Sequence, residues 1–149
     1  MKNLSDINSY NEIMERIEKL QPDSKAKWGQ MNVAQMMAHL QEPLKAALAT
    51  EPTPRMLLGR LLGWAFKKKL YDDTPWKKNL PTSPSFMFTD ERNFDKEKAA
   101  LLNKVKAFYD AGDNGIGNFS HPMFGKFTKD QWGMSAYKHI THHLEQFGV

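Results

Sequence analysis

Cysteine is missing from the 149 residues of this chain. Its absence excludes disulfide frameworks, thiolate zinc sites, iron–sulfur clusters and cysteine nucleophiles. Any bound metal must therefore be held by histidine or carboxylate side chains, and the sequence has five histidines. A chain of this length buries roughly 70% of its unfolded surface. We therefore expect a single domain, residues 1–149, whose core is large enough to contain a pocket.

Long apolar runs are missing as well. The most apolar stretch, residues 56–66, is interrupted by Arg60 and is far shorter than the ~20 residues that a membrane-spanning helix needs. The first residues are charged and polar, without the apolar core and cleavage site of a signal peptide. We expect a cytoplasmic protein without a transmembrane segment.

Strand signals are scarce, because β-branched runs are few and no stretch alternates strictly between apolar and polar residues. The apolar residues recur instead with a helical period, which predicts an all-α chain. Five segments have this period and signals for helix ends. They are residues 6–20 with Ser5 as the cap, 33–48 with Asn32 as the cap, 55–70, 94–111 with Gly112 as the stop, and 129–147 after a capping box of Thr128 and Gln131.

Four of these segments are amphipathic in the way that bundle helices are, which favours a four-helix bundle. The helix at 55–70 and a long loop are then inserted between the second and third bundle helices, and whether the loop at 71–92 is a lid stays open. Each helix should turn one apolar stripe towards the core. The stripe of the first helix comprises Ile7, Tyr10, Ile13, Met14, Ile17 and Leu20.

The last predicted helix contains three histidines, at positions 139, 142 and 143. At about 100° per residue, His139 and His143 lie on its apolar face, whereas His142 falls on the polar side, where we expect it to be solvated. A histidine pair four residues apart brings two imidazoles close enough to share one metal ion. Ile140 occupies the position of the general-base glutamate in a metalloprotease motif, so that activity is excluded. The alternative is a pair of partly buried histidines hydrogen-bonded within the protein.

The other two histidines have less clear positions. His39 lies at the border of the apolar stripe of the second helix, which suits a pocket mouth and an exposed surface equally well. Gln35 and Glu42, one turn on either side, could orient it or form an ordinary polar flank. His121 precedes Pro122 in a glycine-rich loop, where its backbone should be extended. It could be a fourth ligand, a hydrogen-bond donor to a ligand, a proton carrier or an anchor of the loop.

Two blocks of sequence resemble the DinB/YfiT-like superfamily. Residues 28–40, with Trp28, the cap Asn32 and His39-Leu40, look like its second-helix signature. The C-terminal His-Pro-x-Phe-Gly at 121–125 and Lys-His-x-x-His-His at 138–143 are similar to an uncharacterised branch of that superfamily, a domain of unknown function. The resemblance implies an antiparallel four-helix bundle. It also implies a divalent metal, Zn or Ni, bound by His39, His139 and His143.

Three imidazole ligands leave a position for water or substrate, as in catalytic rather than structural sites. The resemblance implies either hydrolase-like activity or transfer and isomerisation with low-molecular-weight thiols. We therefore predict a metal-dependent enzyme that acts on a small-molecule substrate. The alternative is a non-catalytic metal- or ligand-binding helical module.

Basic residues concentrate in the insert. Residues 55–78 contain seven basic and two acidic residues, a net charge of +5, whereas the whole chain carries +4. Such a patch could meet phosphates, an anionic membrane surface or an acidic cosubstrate. No nucleic-acid-binding motif accompanies it, so we expect no nucleic-acid partner. The simplest interpretation is a helix with solvated lysines that packs on the bundle or against a second subunit in a homodimer. The spacing of Gly59 and Gly63 permits close helix contact, but in a soluble protein it is a poor signal.

Overall fold

A computed structural model describes residues 1–54, 56–80 and 86–149, except for the side chains at 58, 60 and 62. Within these ranges the chain is helical and contains no strand, which confirms the all-α prediction. The elements are α1 (Ile7–Glu18), α2 (Val33–Ala47), α3 (Leu57–Lys67) with a 3₁₀ turn (Lys68–Leu70), α4 (Phe94–Gly115) and α5 (Lys129–Gln146). The predicted start of the third helix at Arg55, and residues 81–85 of the predicted loop, lie outside the described residues.

Two capping boxes fix the starts of the helices that carry histidines. At α2 the side chain of Asn32 accepts a hydrogen bond from the backbone N–H of Gln35, and the side chain of Gln35 accepts one from Asn32. Thr128 and Gln131 form the same reciprocal pair at α5. Both predicted caps are confirmed. Each pair satisfies two N–H groups that would otherwise lack partners in the first turn.

The start of α1 differs from the prediction. Asp6, not Ser5, is the residue before the helix, and its side chain makes no capping hydrogen bond. The backbone N–H of Ser5 instead donates to Asn3 Oδ1. Ile7, predicted to be in the core, is 50% exposed. Leu4 occupies the core at this end because its backbone N–H is held by the carbonyl of Gly133, and its side chain is fully buried.

Gly112 breaks the regular geometry of α4, as its position in the sequence predicts. Its φ of 53° and ψ of −164° lie outside the helical region, yet the chain resumes a helical turn that ends at Gly115. The helix therefore kinks at the predicted stop and extends beyond it. A positive φ costs glycine little because it has no Cβ atom.

Four helices pack on one another in a closed ring. The most extensive contact joins α2 to α4, and further contacts join α4 to α1, α1 to α5, and α5 to α2. The side chains that fill the space between them are mostly aliphatic. Fully buried examples are Ile13, Ile17, Met36, Met37, Leu40, Leu44, Leu101, Val105, Phe108, Ile140 and Leu144. In the described part of the chain, none of the helices combines the length and the apolar character that crossing a bilayer requires.

The inserted helix α3 is fixed to the loop that precedes α5. A Cβ atom at either Gly59 or Gly63 would overlap the carbonyl oxygen of Met123. The backbone N–H of Met56 donates to the carbonyl of Pro122 at 3.0 Å. The two glycines therefore let the helix lie directly on the loop backbone.

Candidate metal centre

Three histidines from two helices meet at one point. His39 on α2 and His139 on α5 face each other with Nε2 atoms 2.9 Å apart. The ring of His143 lies 4.8 Å from that of His39 and 4.9 Å from that of His139, measured between centroids. One ligand atom from each of the three lies within 4.8 Å of the others, so the group could hold a metal ion. His39 and His143 are buried, and His139 is partly exposed.

Hydrogen bonds outside the cluster fix which nitrogen carries the proton. Nδ1 of His39 donates to the backbone carbonyl of Phe86 at 2.9 Å. Nδ1 of His143 donates to Oε1 of Gln146 at 2.7 Å, and the amide of Gln146 donates in turn to the carbonyl of Trp28. A neutral imidazole has one N–H. Nε2 of both rings is therefore left with a free lone pair.

Burial keeps all three rings neutral. It lowers the pKa of His39, and it lowers the pKa of His143 to about 3, helped by the neighbouring His39. The pKa of His139 falls well below its ordinary value because of burial first and then the adjacent imidazoles. Neutral imidazole is the form that binds metal ions.

The contact between Nε2 of His39 and Nε2 of His139 indicates whether the three histidines fit a metal ion. Nε2 of His39 carries a lone pair, and two bare lone pairs 2.9 Å apart would repel each other. A proton on Nε2 of His139 or a cation between the rings is needed to relieve that repulsion. A divalent ion fits this requirement, since all three rings can offer a nitrogen lone pair.

His142 is not the solvated residue that its position on the helix predicts. It is half-buried, with ring centroids 5.8 Å from Trp28 and 5.6 Å from Trp76. Burial lowers its pKa. The reason is that the segment after α3 folds over this side of α5 and places Trp76 there, also 5.5 Å from His139. Nε1 of Trp76 donates to the carbonyl of Lys69, which holds the ring in place.

His121 is not one of the three grouped histidines, although its charge contributes, after burial and the other imidazoles, to the lowered pKa of His139. It holds its own loop together. Its Nδ1 accepts hydrogen bonds from the backbone N–H groups of Met123 and Phe124, at 3.0 and 3.2 Å. Its ring packs on Phe127 and Trp132, with centroids 5.5 and 5.3 Å away. Burial lowers its pKa to about 4. Of the roles that the sequence left open, these contacts are those of the loop anchor.

A cavity of about 440 Å³ is connected to the histidine cluster through Phe86, although none of the three clustered histidines lines it. Phe86, whose carbonyl accepts the hydrogen bond from His39, forms part of its wall, as does His121. The charged residues of the wall are Glu42 and Lys45, which form an ion pair. Burial lowers the pKa of His39, and the charge of Glu42 partly opposes that shift. Among the described contacts Glu42 makes no hydrogen bond to His39.

Gln35 does not orient His39 among the described contacts. Its side chain is used by the capping box and by a hydrogen bond to the carbonyl of Asp90. The two groups that do orient the cluster, Gln146 and the carbonyl of Phe86, were not predicted from the sequence. Gln146 could have been found, because it lies three residues after His143 and thus near the same face of α5. The carbonyl of Phe86 has no sequence signal, since every residue has a carbonyl group.

A family described as "Protein of unknown function (DUF1569)" matches residues 2–148. The chain belongs to this family. The prediction of a domain of unknown function is thereby confirmed, while membership of the DinB/YfiT-like superfamily stays a prediction. No curated protein and no solved structure matches the chain. The DUF1569 match includes all three clustered histidines as well as His121.

Proposed function

We propose that His39, His139 and His143 bind one divalent metal ion and that the chain is a metal-dependent enzyme for a small molecule. The observation that carries the proposal is the approach of three imidazoles from two helices, with one ligand atom of each within 4.8 Å of the others. The fold that we propose is an antiparallel bundle of the DinB-like type. The closed ring of contacts among α1, α2, α4 and α5 supports it.

The ligand set favours Zn²⁺ or Ni²⁺. Imidazole suits these ions, and the chain has no thiolate to offer. Three protein ligands are typical of catalytic rather than structural zinc sites. When bound, such an ion supplies Lewis acidity for hydrolysis, or a site that favours the thiolate form of a small thiol.

The chain's own residues would hold and shield this centre. Phe86 and Gln146 fix the ring orientations of His39 and His143 through their Nδ1 protons. Trp76 covers one side of His139. The cavity that shares Phe86 with the cluster has room for a small molecule, with the ion pair of Glu42 and Lys45 in its wall.

The reaction class stays open between hydrolysis and thiol-dependent transfer or isomerisation. A low-molecular-weight thiol is a cosubstrate only in the second class. The non-catalytic alternative is a metal- or ligand-binding module with the same three histidines. The homodimer and the cytoplasmic location remain predictions of the sequence.

Elemental analysis of protein purified without an affinity tag tests the metal site. We expect an equimolar amount of zinc or nickel in the wild-type protein and in His142→Ala, and little in His139→Ala or His143→Ala. His142→Ala is the matched control because it removes a neighbouring imidazole that is outside the cluster. Metal retained in the His139→Ala and His143→Ala variants would contradict the proposal.

Activity separates the enzyme from the binding module. Ester, amide and lactone panels, with and without small thiols, should show turnover that chelation removes and the metal restores. Stoichiometric metal without any turnover would favour the binding module instead.

A further inference from the structure

Helix α3 exposes three large apolar side chains in one row. Leu57 is 77% exposed, Leu61 72% and Trp64 78%. Because they are spaced by four and three residues, they lie on one side of the helix. Gly59 and Gly63 lie on the opposite side, against Met123. We refer to Leu57, Leu61 and Trp64 as the outer row.

The helix is held in this orientation by contacts on its inner side. The two glycines allow backbone-to-backbone approach, and a bulkier residue at either would overlap Met123. At the end of α3, Lys67 donates to the carbonyl of Lys126 and lies over the ring of Phe127. The outer row therefore faces away from the domain because the inner side of α3 is already in contact with it.

One basic side chain continues the outer row and a second lies next to it. Lys68 follows Trp64 by four residues, whereas Lys69 lies over the ring of Phe66 at 5.8 Å, and both lysines are exposed. The nearby carboxylates have other partners, since Asp72 pairs with Lys138 at 2.7 Å and Asp73 with the N-terminal amino group at 3.4 Å. Among the described ion pairs, none includes Lys68 or Lys69. Apolar and basic groups therefore adjoin on one exposed surface.

The size and composition of this surface favour a lipid bilayer over a second copy of the chain. Three large side chains offer on the order of 500 Å², at 150–250 Å² for a large aromatic residue. A stable dimer buries about 800 Å² on each partner. Lysine is also depleted at protein–protein interfaces. At a bilayer, by contrast, leucine and tryptophan enter the interface while lysines meet anionic headgroups.

We propose that α3 docks this protein on the surface of a bilayer that contains anionic lipids. The outer row inserts at the boundary between headgroups and acyl chains. Lys68 and Lys69 contact the headgroup phosphates and carboxylates. The docking is peripheral, because α3 has only 11 residues and a spanning helix needs ~20.

Vesicle co-sedimentation of the full chain tests this proposal. We expect binding to phosphatidylcholine vesicles with about one-third phosphatidylserine at low salt, and at least a tenfold loss at roughly 0.5 M salt because charges are then screened. Pure phosphatidylcholine vesicles should bind at least about tenfold more weakly. Failure of the wild-type protein to bind the anionic vesicles at low salt would overturn the proposal.

Two pairs of variants separate the apolar and the charged contributions. Leu61→Ser with Trp64→Ser, and Lys68→Gln with Lys69→Gln, should each reduce binding at least about tenfold. The controls are Ile7→Ser, an exposed apolar residue on α1, and Lys19→Gln with Lys25→Gln, which makes the same charge change on another exposed surface. Circular dichroism verifies that all of them stay folded.

Equal losses in the variants and their controls would show nonspecific adsorption and overturn the proposal. Light scattering provides the other decisive result. A dimer that the Leu61→Ser, Trp64→Ser variant converts to a monomer would assign the outer row to a protein interface, and the bilayer proposal would be wrong.

Discussion

Buried and partly buried histidines occur in two regions of this protein, and the two regions differ in the hydrogen bonds that Nδ1 makes. In the cluster, Nδ1 of His39 and Nδ1 of His143 donate hydrogen bonds, which leaves Nε2 free of a proton. In the loop before α5, Nδ1 of His121 accepts two backbone hydrogen bonds, and aromatic rings surround the imidazole. Burial lowers the pKa in both regions. Burial alone therefore does not distinguish a ligand from an anchor, whereas the hydrogen-bond partners of Nδ1 do.

The largest effect is expected when the imidazole of His139 is removed. His139→Ala should weaken zinc binding at least about 100-fold, because one of three lone pairs is lost. His121→Ala should change the affinity by no more than about threefold, because its Nδ1 is used by the loop backbone. Titration against a chelator of known affinity measures both. An equal loss of affinity in the two variants would show that the two regions are not distinct.

The second effect concerns stability, for which we expect His121→Ala to be more damaging than His139→Ala. His121→Ala should lower the free energy of unfolding by about 2–3 kcal/mol, because two N–H groups lose their acceptor and the aromatic packing opens. Metal-free His139→Ala should lose less, because it removes a crowded neutral ring. Urea unfolding in the presence of a chelator measures both. His121→Ala with wild-type stability would contradict the anchoring role.

A smaller effect should follow from the residue that orients His143. Gln146→Ala should weaken metal binding about 10- to 100-fold, the usual range for a hydrogen-bond partner of a ligand. Gln146→Glu keeps the oxygen acceptor for His143 but loses the donor to the carbonyl of Trp28, so it should recover only part of the affinity. The matched control is Gln41→Ala, another buried glutamine, which is bonded to Glu97 at 2.7 Å. It should lower stability without changing metal affinity, and a similar loss of affinity there would count against a specific role for Gln146.

The last effect is a change in pH dependence, which is small over any single pH unit. The pKa of His121 is about 4 in the folded protein and about 6.5 in an unfolded chain. The unfolded state therefore takes up the proton first as the pH falls, and the stability decreases between pH 6.5 and 4 by at most about 1.4 kcal/mol per unit. The partial exposure of this ring reduces that slope.

His121→Gln removes the titrating group but keeps an oxygen that can accept from the backbone. Unfolding free energies at pH 7, 6 and 5, measured with a chelator, should then fall less steeply than in the wild-type protein. Identical slopes would show that His121 is not held neutral by the fold.

The sequence predicted those features of the site that depend on neighbouring residues. The caps of α2 and α5 follow from side chains that bond within their own first turn. The pairing of His139 with His143 follows from their spacing on one helix. The sequence did not decide whether His39 faces a pocket or the surface, because the helical period gives its angle on α2 but not the element that packs there. The predicted exposure of His142 was wrong for the same reason, since Trp76 comes from a segment distant in sequence.

By itself, the sequence determined the helical class, two of the helix starts and a set of possible metal ligands without cysteine thiolate. Those properties depend on composition and on interactions within a few residues. The tertiary structure decided that His39 meets His139, one hundred residues away, that Phe86 fixes the tautomer of His39, and that His121 anchors a loop instead. Contacts between distant segments depend on how the helices pack, and no local spacing in the chain determines that packing.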